Sequence, residues 1–174
     1  MSQQGKSLAK LGYIFGLGAF RRYEQHFNST IAHFDETFKP TADAWTAAVE
    51  ALRADAEAKG KEFAQPLPPQ FRTISDVEVN HRWAVMLKYA HDVWLIENEG
   101  EPVTIDEVEM LIDAAPQPDW DAIREQYLDS SYLGQKLRVY YGIPEPDADK
   151  AKKKASPSAK QSPRRTSSAI SRKK

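Results

Sequence analysis

Aromatic residues recur at every seventh position near the start of the chain: Tyr13, Phe20, Phe27 and Phe34. Four residues beyond each lie Leu17, Glu24, Ile31 and Phe38, so two rows run side by side on one helix face, with Glu24 the one polar interruption. The spacing predicts a long amphipathic helix that stops at Pro40, which lacks an amide donor and biases the preceding residue away from helical geometry. Gly12, Gly16 and Gly18 each weaken its early turns by up to about 1 kcal/mol relative to alanine. A helix of roughly 30 residues spans roughly 45 Å, more than a domain of this size needs for its own core. Core packing is the simplest use of the seam, and part of it is expected to pack on another chain, with Tyr13, Phe20, Phe27 and Phe34 as the candidate interaction residues. Bulky aromatics at heptad spacing suit an uneven bundle better than a two-stranded coil, whose seams prefer aliphatic residues.

Helical patterns continue after Pro40. Thr41 can cap a second helix whose apolar positions Trp45, Val49, Leu52, Ala56 and Phe63 form a narrow stripe in an alanine-rich background, with Gly60 near its end. The stretch 65–70, Gln-Pro-Leu-Pro-Pro-Gln, reads as an extended connector between two helical halves. Ser75 and Glu78 form a capping box ahead of Val79, Trp83, Met86, Leu87, Ala90 and Trp94, a helix expected to reach about Asn98. Thr104 and Glu107 form a second box before Ile105, Val108, Leu111 and Ile112, closed by Pro116. Asp119 can cap a further helix carrying Trp120, Ile123, Tyr127 and Leu128, and Leu133, Leu137 and Tyr140 extend the pattern to Gly142. No strand alternation of useful length and no internal repeat is visible. The fold class expected is all-α: an irregular bundle of about five or six helices opened by a long amphipathic one.

Charge divides the chain more sharply than its total of −1 suggests. Ten of the 24 Lys and Arg lie from Lys150 onward with no acid among them, which leaves 14 against all 25 acids, a net of −11, in the preceding part. Residues 1–149 are therefore read as an acidic helical domain and residues 150–174 as a disordered basic tail, since a segment whose only large apolar residue is Ile170 cannot offset its ordering entropy by burial. Lys152, Lys153, Lys154, Arg164, Arg165, Arg172, Lys173 and Lys174 suit contact with anionic lipid, nucleic acid or acidic protein surfaces, and a purely solubilising role stands beside these. The tail has no aromatic residue to stack on bases, which argues against sequence-specific RNA or single-strand recognition. Ser156 and Ser162, each before a proline, and Ser167, after Arg164-Arg165, are candidate phosphorylation sites, each phosphate removing about 1.5 to 2 units of positive charge.

Candidate chemistry is sparse. With no Cys, disulfides, thiol catalysis and Cys-based zinc sites are excluded. Gly5-Lys6-Ser7 resembles the end of a phosphate-binding loop without its earlier glycine. His26 and His33 are seven apart and His81 and His91 ten apart, neither the spacing of a helical zinc pair. Asn28-Ser29-Thr30 matches a glycosylation signal, which is moot without a secretory signal. No catalytic residue, cofactor or metal is expected, and no apolar run is long enough to form a transmembrane segment. The first acid is Glu24, after Lys6, Lys10, Arg21 and Arg22, a composition shared by mitochondrial targeting segments and ordinary helices. The aromatic rows cross it without a change of phase, so a targeting segment here would be a retained one.

Residues 117–146 resemble a known family. Gln117-Pro118-Asp119-Trp120, Ile123-Arg124, Leu133, Leu137, Tyr140-Tyr141 and Ile143-Pro144-Glu145-Pro146 are similar to a region of the peripheral-stalk subunit d of mitochondrial ATP synthase. The chain departs from that family by lacking its following long charged helix and by carrying the basic tail. The resemblance implies a non-catalytic helical scaffold and carries over no functional residue. The expected role is a structural subunit that meets other protein subunits through helix faces, in a mitochondrial membrane complex such as ATP synthase. The alternatives are a cytoplasmic, nuclear or cytoskeletal adaptor whose tail binds nucleic acid or tubulin under phosphorylation control, and an assembly chaperone.

Overall fold

Asn28, Ser29 and Thr30 interrupt the opening helix, because short polar side chains offer the backbone alternatives to helical bonding. The computed structural model describes residues 7–144. In place of one continuous helix, the opening segment consists of a 3-10 turn at Leu8–Lys10, an extended stretch, helix α1 at Leu17–Phe27 and a 3-10 segment at Ile31–Phe38. Asn28 ends α1 in the left-handed region at φ 48°. Glu24 then turns the chain: its Oε1 accepts from the Ile31 amide at 2.8 Å and fixes the start of the 3-10 segment. The one polar position in the aromatic rows is thus the residue around which the segment bends.

The remaining elements follow the predicted order. They are α2 (Ala42–Ala58), α3 (Asp76–Trp94), α4 (Ile105–Ala114), α5 (Gln117–Asp129), a two-residue ribbon of β1 (Ser131–Tyr132) and β2 (Gln135–Lys136), and α6 (Leu137–Tyr140). The class is all-α, and the compact unit ends at Ile143. Thr104 and Glu107 form the full capping box. Ser75 accepts from the Glu78 amide, but the Glu78 carboxylate takes the Nε of Arg82 instead of reaching back, so only half of that box forms. Helix α3 stops at Trp94, short of Asn98. Helix α5 is capped at Pro116, three residues before the expected cap, which leaves Asp119 in its first turn. Leu133 continues no helix: with Gly134 it makes the tip of the ribbon, at φ 50° and 85°, the two positive angles of a type I′ turn.

Helix α3 is the central element, and α1, the 3-10 segment and α4 pack around it. Its residues 82–87 are buried in unbroken succession, the mark of a helix covered on every side. Along the 3-10 segment Ile31, Phe34 and Thr37 are buried, the three-residue repeat of that geometry. Phe34 reaches Trp83 at 4.8 Å, Tyr127 at 4.9 Å and Tyr23 at 5.2 Å between ring centres, joining four elements in one aromatic core. Tyr141 donates to the Ile31 carbonyl at 3.0 Å, so its oxygen accepts from Tyr127 at 2.8 Å, and burial holds both phenols well above their ordinary pKa. Buried Arg82 is satisfied by Glu78 and by the His33 carbonyl, both at 2.8 Å.

Candidate functional site

One element takes no part in this core. Helix α2 begins soundly, with the Thr41 hydroxyl accepting from the Ala44 amide, and it closes with Gly60 at φ 61° and the Lys61 amide on the Ala56 carbonyl. At 17 residues it is about 25 Å long. Only Val49 along it is buried, and Val49 lies outside the aromatic core. Leu52 is 53 % exposed. The expected stripe of Trp45, Val49, Leu52, Ala56 and Phe63 is therefore real as a pattern, yet it does not face the core.

The proline-rich stretch is the other limb of the same structure. It does not divide the chain into two halves; it runs back from Gly60 and returns to the start of α2. The Arg53 guanidinium lies 5.3 Å over the Phe63 ring, a cation–π contact between the two limbs. Leu67 is 90 % exposed and Phe71 is also exposed. At the base the limbs close: the Arg72 amide donates to the Pro40 carbonyl at 3.1 Å, and the Thr73 amide and hydroxyl donate to Glu36 Oε2 at 2.9 and 3.3 Å. Lys39 holds the other Glu36 oxygen. The Lys39 bond first, and the Thr73 amide after it, keep the Glu36 carboxyl below the usual carboxylate range, and Glu36 in turn raises Lys39. Residues 41–71 thus form an arm, helix out and extended chain back, pinned at its root, with Val49 buried, Trp45, Ala56 and Phe63 half-buried, and most of its other side chains exposed.

Beside the root lies a pocket of about 230 Å³. Arg72 and Arg124 line it together with Trp83 and Trp120. The two indoles meet edge to face at 5.2 Å, and Arg124 stacks 5.5 Å over Phe38.

The aromatic seam lies elsewhere. Tyr13, Phe20 and Phe34 are buried and Phe27 is half-buried, all within this chain's own packing. Tyr13 donates to the Leu8 carbonyl at 3.0 Å. The bend at Asn28 folds both halves of the seam onto α3, so three of the four rings are covered by this chain itself. Lys152, Lys153, Lys154, Arg164, Arg165, Arg172, Lys173 and Lys174, and the candidate phosphorylation sites Ser156, Ser162 and Ser167, lie outside the described residues, as do the expected tail and its boundary.

The histidines hold structural positions. The ring nitrogens of His91 lie 2.9 and 3.0 Å from the carbonyl oxygens of Gly12 and Glu101, tying the chain start to the loop after α3. His81 meets Glu109 at 2.7 Å, and His26 meets the Tyr89 hydroxyl at 3.3 Å. Among the described residues no group of three or more His, Asp or Glu is arranged to hold a metal ion, and no helix is long and apolar enough to cross a membrane.

Sequence reasoning gave no interaction role to Leu67, Phe71, Arg72 or Arg124. For the first two a signal existed, since apolar residues inside a proline-rich stretch have no helical face to serve. For the arginines none did: they are 52 positions apart and only the fold brings them together. No protein-family model, curated protein or solved structure matches the chain. The likeness to the stalk subunit rests on its residues alone.

Proposed function

We propose that the chain is a non-catalytic structural subunit that docks into a larger protein assembly through the arm at 41–71. One observation carries this reading: a 17-residue helix that the chain's own core leaves uncovered. Isolated helices of about this length are marginal in water, and most helical stability comes from packing of an apolar face. Leu52 on the helix with Leu67 and Phe71 on the return limb supply apolar anchors for a groove on a partner protein. The polyproline-like limb is stiff before binding, which lowers the ordering cost of association. The acid-free start and the likeness of 117–146 to the stalk subunit direct the search to a mitochondrial membrane complex.

Three forms purified at native abundance test the reading: the intact protein, a Leu52→Asp/Leu67→Asp double variant, and a chain ending at residue 149. The intact and shortened forms are expected to bring down the same proteins in fixed stoichiometry, and the double variant to lose them while keeping its far-ultraviolet circular dichroism. Undiminished recovery by the double variant would overturn the proposal. Loss on removal of residues 150–174 alone would favour the adaptor reading, and recovery with unassembled subunits only would favour the chaperone.

A further inference from the structure

We propose that the pocket at the root of the arm binds a small aromatic or apolar carboxylate. The case rests on the pocket's charge, on an unsatisfied donor in its wall, and on its size. It is independent of the docking role of the arm.

The charge is local and opposite to its surroundings. The part of the chain before Lys150 carries a net of −11, yet no acid is among the residues that line this pocket, and two guanidinium groups are. Arg124 has no ion-pair partner among the described residues; its one contact of note is the stacking on Phe38, which leaves the edge of the fork free to donate. The Arg72 side chain is 13 % exposed and is paired through Nη2 with Asp76, whose own side chain is 85 % exposed, so the Asp76 carboxylate can return to water when a ligand replaces it.

The unsatisfied donor is the Nε of Arg72, buried and without a hydrogen-bond partner. A buried donor left unpaired is costly, so a wall that contains one favours a ligand that can supply the acceptor. A carboxylate does this best, because its two oxygens match the parallel donors of a guanidinium fork. Exchange of the exposed Asp76 oxygen for a ligand carboxylate turns the Arg72 fork toward the pocket and gives Nε an acceptor. Asn80 and Gln117 also line the pocket, but their amide nitrogens donate to Asp113 and Asp121, so the two arginines are its charged donors.

Size and apolar walls define the rest of the ligand. Trp83, Trp120 and Val79 supply carbon surface. A cavity of about 150 Å³ accepts benzene, so about 230 Å³ admits one such ring with a carboxylate attached. Pockets for drug-sized molecules begin at about 300 Å³. The fitting chemistry is therefore that of benzoate, presented either by a free small acid or by the terminal carboxylate of a peptide ending in an aromatic residue.

Titration of the full chain followed by the indole N–H signals of its four tryptophans tests this. Sodium benzoate is expected to shift the Trp83 and Trp120 signals saturably, with an affinity of about millimolar or tighter, and to leave Trp45 and Trp94 in place. The neutral isostere benzamide is expected to do neither. Arg124→Ala, at a half-exposed position, is expected to weaken benzoate by about tenfold or more with the remaining spectrum unchanged. An acetylated peptide ending in Ala-Phe, compared with its C-terminal amide, separates the sources: binding of the acid form alone points to a chain end, and binding of benzoate without it points to a free acid. Equal binding of benzamide, an unaffected Arg124→Ala variant, binding of inorganic phosphate but not benzoate, or no saturable shift would each overturn the proposal.

Discussion

Gly12 shows how far a single position can decide the packing of the chain start. A Cβ on Gly12 would stand 2.2 Å from Cε2 of Trp94, so the indole occupies space that only glycine leaves open. The adjoining backbone depends on that approach: the Ile14 amide donates to the Ala90 carbonyl at 3.1 Å, and His91, stacked on Trp94, meets the Gly12 carbonyl. Gly12→Ala is expected to lower stability by about 1–3 kcal/mol through overpacking. At Gly16 a Cβ would meet nothing within 4 Å, and the backbone is extended, so Gly16→Ala is expected to change stability by less than about 0.5 kcal/mol. Urea unfolding of the two variants checks the pair. Their spacing in the sequence suggested equal weakening of one helix; both lie outside any helix, and their real difference is that Gly12 stands against a ring that arrives from α3.

Among the elements, the arm is held by its root, and the root depends on one carboxylate. Glu36 must be ionised to accept from both Thr73 and Lys39, and its folded pKa is depressed. A depressed carboxyl contributes stability that is present above the unfolded pKa and is lost as the pH falls through the folded one. Acidification through and below the usual carboxylate range is therefore expected to loosen the root before the core. Faster exchange of the Thr73 amide at low pH checks this, and Glu36→Gln is expected to give that faster exchange already at neutral pH. The same element shows what patterning can and cannot convey. The caps of α2 and α4, the stripe Ile123, Tyr127 and Leu128, and the turn at Gly60 were legible, because each is a local interaction between neighbours in sequence. The direction in which α2 faces was not, because an apolar stripe is identical whether its cover is the chain's own core or another molecule. The break after Phe27 was hidden because seven-residue spacing survives a bend that preserves which rings face α3.

For the whole molecule, the body and the arm differ in what stabilises them. The body joins the 3-10 segment, α3, α5 and the last helix through stacked and edge-on rings, with Phe38 within 6 Å of Trp83, Tyr127 and Tyr141. The arm has a hydrogen-bonded root, one cation–π contact between its limbs and exposed apolar side chains beyond. In the candidate pocket the two meet, since Arg72 comes from the root and Arg124 from α5, a juxtaposition created by the fold across 52 positions of sequence. Regions with few buried contacts open locally at little free-energy cost, while core elements exchange through global unfolding. Native-state hydrogen exchange of the isolated protein is the most direct measurement. Amides of α2 are expected to exchange orders of magnitude faster than those of α3, and to respond little to low urea. Protection of α2 equal to that of α3, rising and falling with global stability, would mean that the body already supports the arm and that no partner is needed to cover it.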